Sequence, residues 1–290
     1  MSHALIRQLA ELGLLDPDTL EPYAARVRDR EDVAALRCRR SGVVVLSRID
    51  HVEDYYEGRS EKPTHTVHGV EVATPRLADN IARAVQFGPA IQGKRWLDFG
   101  CGLGGALDEI APVASEAWGL ELNQERAAIV SAKGHRVAAD LEELEDASFD
   151  VITLFHVLEH LTDPVATVAR LKRALAPDGL IIVEVPHARD ILLTTYDCEP
   201  FRRFTLWSEH LVLHTRDSLA GVLAAGGFEA PKVQGLQRYP LANHLYWLRH
   251  GRPGGQEAWA QLSTPDVDSA YGHLLEAQDA TDTLVATARA

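Results

Sequence analysis

The stretch from Trp96 to Leu107 constrains the fold of this chain more than any other. It reads Trp-Leu-Asp-Phe-Gly-Cys-Gly-Leu-Gly-Gly-Ala-Leu, opening like a strand and closing like a helix, with Gly100, Gly102, Gly104 and Gly105 between. Glycines at this density let a backbone turn sharply and approach a ligand without Cβ interference. The spacing Gly100-x-Gly102-x-x-Gly105 also fits the dinucleotide fingerprint. The turn by itself therefore leaves a nicotinamide or flavin cofactor level with any other nucleotide-like ligand.

The flanks supply the sheet that such a turn needs. From Arg95 onward the pattern predicts strand 96–99, helix 105–111, strand 117–122, helix 125–133 and strand 136–138. Strand 149–154, helix 164–175, strand 179–185 and helix 217–225 follow, with two late strands around Val233 and Gln237. That alternation means an α/β domain with a mostly parallel sheet wrapped by helices. A helix over 73–87 leads into it, ended by a Gly-Pro turn. Residues 4–28 read as two short helices broken at Pro17, and Leu36 to Leu46 as a strand after a polar turn. The tail from Gln256 to Ala290 carries helical spacing and is expected to cap the domain or form a homodimer contact. The predicted units are an N-terminal extension over 1–72, the main domain over 73–240 with a lid over about 187–216, and a C-terminal helical extension over 241–290.

Composition narrows the partners. With 42 acidic against 29 basic side chains the net charge is −13, which repels phosphate backbones, and the run Arg37 to Arg40 is short, so no nucleic acid is expected. No apolar run approaches the ~20 residues of a membrane span, and Arg7 and Glu11 interrupt the apolar N-terminal segment. A cytoplasmic location without a membrane partner is the expectation. Cys38, Cys101 and Cys198 are odd in number and widely spaced, so they read as reduced thiols.

In such a sheet ligands sit beyond the carboxyl ends of the strands, so each strand end carries information. Asp98 stands two residues before Gly100, where a dinucleotide-binding strand more often has an apolar residue. A carboxylate there can hold a cationic amine, which tilts the choice toward a zwitterionic ligand. Glu121, ending the second strand, can accept from both hydroxyls of a ribose. After the third strand, Asp140 offers an acceptor for an exocyclic amine and the Leu141 amide a donor for a ring nitrogen. Together these describe an adenine pocket.

The fourth strand and its sequel read Phe149-Asp-Val-Ile-Thr-Leu-Phe-His-Val-Leu-Glu-His-Leu-Thr-Asp-Pro164. With this segment the chain resembles the class I S-adenosylmethionine-dependent methyltransferases. Matching motifs stand in order at 97–105, 119–122, 140–141, 149–164 and 171–186, so the likeness covers roughly residues 90–235. The resemblance implies a Rossmann-like seven-stranded, mostly parallel sheet with helices on both faces. It implies S-adenosyl-L-methionine as cofactor and S-adenosyl-L-homocysteine as product. Asp98, Gly100, Cys101 and Gly102 would hold the methionine end, Glu121 and Leu122 the ribose, and Asp140 and Leu141 the adenine, with Phe155 and His156 bordering the sulfonium. Methyl transfer is an in-line displacement that needs mainly alignment, and a base only where the acceptor must lose a proton early.

For that base the segment Phe201 to Thr215 is the richest. Glu209-His210-Leu211 resembles an element of bacterial methyltransferases acting on nucleotide-linked sugars, which makes His210 the candidate base, Glu209 its orienting carboxylate and His156 the rival. The preceding Ser208 departs from that pattern. His160 is expected to pair with backbone or Glu159, or else to line the acceptor site, and Arg238, Tyr239 and His244 join it as acceptor residues, Arg238 as a phosphate fork. Leu36 to Leu46 resembles half of a small zinc ribbon, but the second cysteine position is Ser41 and no other cysteine pair exists. Hence no metal is expected, and His65 and His68, like Tyr55 and Tyr56 nearby, read as ordinary polar-segment residues. The reading is methyl transfer to a small polar molecule, a nucleotide-activated sugar or glycan precursor. The alternative is O- or N-methylation of an aromatic or quinone-like metabolite, and last a non-catalytic relative, for which intact Asp98, Glu121 and Asp140 would serve no purpose.

Overall fold

The computed structural model describes residues 3–52, 64–67, 70–73 and 77–290. Tyr55, Tyr56 and His68 lie outside them, as does the side chain of His65. No helix among the described residues is long and apolar enough to cross a membrane.

The chain opens with helix α1 (Ala4–Glu11), whose Leu5, Ile6 and Leu9 are buried. The second helix expected before Arg28 is instead a 3₁₀ turn (Pro17–Thr19) and strand β1 (Leu20–Ala24). Pro22 explains the difference, because a proline inside a helix removes a hydrogen bond and clashes, whereas a sheet-edge position tolerates it. β1 pairs with β2 (Ala35–Cys38), and β2 with β3 (Val44–Leu46), so the single strand expected over 36–46 is a hairpin turning at Gly42, whose φ is +81°. A separate hairpin joins β4 (Thr64–Val67) to β5 (Val70–Ala73). Helix α2 (Leu77–Ile91) continues four residues past the expected stop at Phe87, carrying Pro89 in its last turn.

The main sheet follows: β6 (Arg95–Phe99), α3 (Gly105–Ile110), β7 (Glu116–Leu120), α4 (Gln124–Ala132), β8 (Arg136–Ala138), β9 (Phe149–Phe155), α5 (Pro164–Ala174) and β10 (Leu175–Pro186). β9 and β10 are near-continuous apolar runs because helices cover both faces of a parallel sheet. The lid holds helix α6 (Glu199–Thr205) and the short strand β11 (Val212–Leu213), after which come α7 (Arg216–Ala225) and β12 (Glu229–Leu236). Asp140, Asp163 and Thr215 each accept from a backbone N–H at the start of the turn or helix that follows.

The sheet order is β12-β13-β10-β9-β6-β7-β8, parallel from β10 to β8. β13 (Thr283–Arg289) comes from the tail that the sequence reads as helical, and it pairs antiparallel with β10 on one side and β12 on the other. The tail is helical only through α8 (Leu241–His250), α9 (Gly255–Ala258) and α10 (Pro265–Ala277). One strand, β12, replaces the two expected near Val233 and Gln237. The chain runs from β6 outward to β8 and returns at β9 on the other side of β6, so the strand order reverses between β6 and β9. That is where such sheets bind ligands.

Residues 3–52 of the N-terminal extension pack on the main domain. β3 pairs with lid strand β11, making a four-stranded sheet β1-β2-β3-β11, and its core residues Val33, Val45 and Leu46 join the same apolar cluster as Leu97 and Val183 of the main sheet.

Candidate active site

Register brings Asp98 level with Gly119 on β7 and Thr153 on β9, at the point of strand reversal. Thr153 Oγ1 donates to Asp98 Oδ1 at 2.9 Å and itself receives the Trp96 Nε1–H at 3.0 Å. Burial pushes the Asp98 carboxyl up to about 7, against the opposing pull of the Thr153 hydrogen bond and Arg83. A carboxylate so placed gains from any cation brought beside it.

The following turn is shaped by glycine. Gly100 and Gly102 have φ of +72° and +57°, and a Cβ on Gly100 would lie 2.6 Å from Val157 Cγ2. The side chain of Val157 thus packs directly on the turn, placing His156 next to it. Glu121, buried at the end of β7, accepts the Gly102 N–H (3.0 Å) on one oxygen and the Asn123 N–H (2.9 Å) on the other. It fixes the glycine turn as well as facing the site, a role sequence alone had not suggested. Burial raises its carboxyl, and the two amides oppose that rise. Cys101 is buried against Gly119, and burial pushes its thiol upward, away from the nucleophilic thiolate. Further along, Asp140 is exposed and accepts the Glu142 N–H, Leu141 is half-buried, and Leu122 is exposed.

Beyond Phe155 the character changes to charge. Phe155 stacks on Phe87 of α2 with centroids 5.4 Å apart, and the Arg83 guanidinium lies over its ring at 4.7 Å. Arg83 Nη2 donates to Glu184 Oε1 at 2.6 Å, and Arg238 Nη1 approaches the same oxygen at 3.6 Å. Glu184 sits beside Phe155 in the register of β10 against β9 and is 1% exposed. Burial alone would raise its carboxyl, yet His156 and the two arginines hold it far below the usual range. Sequence reasoning missed Glu184 and Arg83. The signal existed, since Glu184 is the lone charge in the apolar run 180–185 and a buried charge needs a partner.

His156 adopts a left-handed backbone, φ +57°, which turns its ring between two carboxylates. Nδ1 lies 3.2 Å from Glu159 Oε1, while Nε2 stands 3.0 Å from Glu184 Oε1 without an aligned hydrogen bond.

On the other side of Glu159 lie His160 and His210. His160 Nδ1–H donates to the Glu209 carbonyl at 2.7 Å, the backbone partner of the two the sequence suggests, and its Nε2 lies 3.9 Å from Glu159 Oε1. His210 Nδ1–H donates to the Thr205 carbonyl at 3.0 Å, and its ring packs against those of His160 and Trp207. Burial and the neighbouring His160 push its imidazole toward the neutral form. Glu159 is the carboxylate set against it, while Glu209 gives its carbonyl to His160. Ser208, the departure from the sugar-enzyme pattern, has a local reason: its N–H and hydroxyl both donate to Asp29, tying the lid to the N-terminal extension.

Of the expected acceptor residues, Arg238 is drawn into ion pairs with Glu184, Asp79 and Asp282. Tyr239 donates its N–H to Asp282 and lies under the Arg238 guanidinium. His244 is buried, with Nδ1 2.8 Å from the Tyr271 hydroxyl.

Comparison with known proteins agrees with this geometry. The family model described as a methyltransferase domain matches residues 70–233. A probable S-adenosylmethionine-dependent methyltransferase of Mycolicibacterium smegmatis is 33% identical over 214 residues, 71% of this chain and 74% of that protein. A ubiquinone biosynthesis O-methyltransferase of Ralstonia nicotianae is 29% identical over 180 residues, 57% of this chain and 75% of that protein. In fold, the chain is similar to a SAM-dependent methyltransferase from Archaeoglobus fulgidus, with a TM-score of 0.52, 17% identity, and coverage of 74% of this chain and 94% of that one. A buried carboxyl at Asp98, a glycine turn braced by Glu121 and this set of relatives lead to one statement: the chain belongs to the class I S-adenosylmethionine-dependent methyltransferases.

Proposed function

We propose that this methyltransferase acts on a small polar acceptor, a nucleotide-activated sugar or glycan precursor, in the cytoplasm. The observation that carries the reading is the buried charged belt beyond Phe155, in which Glu184 meets Arg83, His156 and Arg238. Such a wall favours hydroxyls and phosphates over an apolar ring. Within the lid Ile191, Leu192, Leu193 and Leu206 are buried and Leu192 packs with Trp247, while Phe201, Phe204 and Trp207 are half-buried. Asp98 with the Gly100–Gly102 turn takes the methionine end, Glu121 the ribose, and Asp140 with the Leu141 amide the adenine. Phe155 and His156 border the sulfonium.

Of the two histidines singled out from the sequence, His156 has the better support as base. Its Nδ1 is oriented by Glu159, and its Nε2, 3.0 Å from Glu184 Oε1, takes the proton of an acceptor hydroxyl once that hydroxyl displaces the Glu184 contact. The decisive measurement is a screen of nucleotide-sugars against quinols and catechols, reading conversion of S-adenosylmethionine to S-adenosylhomocysteine. Turnover confined to the aromatic set would overturn the polar acceptor. That second reading has one observation of its own, the Phe87–Phe155 stack, together with relatives named for ubiquinone biosynthesis.

Asp98 also predicts a pH dependence. With its carboxyl near 7 in the free protein, a bound ammonium must displace the proton, so cofactor binding releases one proton below that value. The dissociation constant is expected to rise as pH falls from 7 toward 5.5, by up to about tenfold per unit, and to be flat above 8. Asp98→Asn should flatten this profile. Calorimetric titration across pH checks it, and a wild-type profile flat from 5.5 to 8 would discard the assignment.

A further inference from the structure

The turn after β9 and the lid together hold a cluster that cofactor binding does not use. Glu159, His160 and His210 each offer one ligand-type atom within 4.8 Å of the other two. We propose that these three side chains form a site for a zinc-class divalent ion that fastens the lid to the main sheet.

Three features support this. First, both imidazoles are pre-set. A backbone carbonyl only accepts, so the contacts of His160 Nδ1 with Glu209 O and of His210 Nδ1 with Thr205 O require a proton on each Nδ1. The lone pairs are therefore on Nε2. Metal-binding histidines are held in this way, with the other ring N–H on a carbonyl or carboxylate. Second, the carboxylate opposite them is fully buried, and Glu159 Oε2 finds no hydrogen-bond partner among the described residues. An Nε2 lone pair turned toward a buried carboxylate is a contact that a shared cation relieves, which a metal ion held by all three groups would supply. Third, the donor set is two imidazoles and one carboxylate, which suits zinc and its transition-metal neighbours and not magnesium, an ion that prefers an all-oxygen shell.

Ion–ligand bonds of about 2.0 Å place tetrahedral ligand atoms roughly 3.3 Å apart. The 3.9 Å between His160 Nε2 and Glu159 Oε1 thus closes by a fraction of an ångström, within reach of side-chain rotation. The two segments are already joined by the Leu211 N–H donating to the Glu159 carbonyl at 2.9 Å, so ion binding needs no rearrangement of backbone. Oε1 also lies 3.2 Å from His156 Nδ1, so the ion and the proposed base meet on one carboxylate.

The test uses the full chain, stripped with a chelator and titrated with Zn²⁺ by calorimetry and with Co²⁺ by visible absorption. Expected are one ion per chain, a Zn²⁺-dependent rise in Tm, and no comparable response to Mg²⁺. His210→Asn and His160→Gln should each weaken uptake by at least about tenfold, with far-ultraviolet circular dichroism and S-adenosylmethionine binding retained. Glu159→Gln should do the same, and if that variant fails to fold the two histidine variants still decide. Absence of saturable uptake by the wild type overturns the site, as does uptake that both histidine variants leave unchanged. Because the readout is metal binding, failure here leaves the acceptor assignment standing, and a failed acceptor screen leaves the metal site standing.

Discussion

His156→Asn is expected to lower kcat by roughly 10²–10⁴-fold, the range for loss of a general base, while cofactor affinity stays nearly unchanged. Asparagine is the right replacement because residue 156 has φ +57°, a left-handed conformation that asparagine accepts more readily than alanine. The variant thereby removes the imidazole and keeps the turn on which Val157 packs against Gly100. His210→Asn is the control. If turnover collapses in that variant while His156→Asn remains active, the base is His210, as the Glu-His-Leu resemblance implies. A parallel loss of cofactor affinity in His156→Asn would mark a residue that shapes the cofactor site and not one acting on the acceptor. Steady-state kinetics and calorimetric titration on the same preparations separate these outcomes.

Glu121→Ala should show the opposite pattern, a weakened cofactor with less effect on the chemical step. Hydrogen bonds to a charged group are each worth roughly 1.5–3 kcal/mol, which corresponds to a loss of about 10- to 150-fold in affinity. Two effects combine here. The ribose loses its acceptor, and the Gly102 and Asn123 N–H groups lose the carboxylate that holds the turn in place. Glu121→Gln divides them, since its single carbonyl oxygen satisfies one amide and leaves the other opposite an NH₂ group. An affinity in Glu121→Ala equal to the wild type's would remove the residue from the cofactor site.

Strand-end chemistry was legible because it is local. Asp98, Glu121 and Asp140 each lie within a few residues of a strand's carboxyl end, so the alternation alone puts them along the carboxyl edge of the sheet, with Asp98 level with Thr153 at the strand reversal. Less legible were groups whose meaning depends on distant partners. Arg83 meets Glu184 across 101 positions, and no helical periodicity announces such a pair. Glu159 looked like a partner for one histidine, and its position among His156, His160 and His210 emerges only when the lid folds over. The tail misled for another reason. Thr283 to Arg289 is buried on both faces, so it shows none of the alternation that marks a half-exposed strand, and a short apolar run reads equally as helix. β1 hid behind amphipathic spacing that Pro22 should have vetoed.

The position of β13 also sets an order of assembly. It follows every other strand of the sheet in sequence yet lies between β10 and β12, so during synthesis β12 has no neighbour to pair with until residues 283–289 emerge. Until then the apolar flank of β10 stands open, an unpaired margin that invites pairing with another nascent chain. The main domain therefore reaches its native sheet as a late event, and lesions near the last strand will act on yield before they act on catalysis.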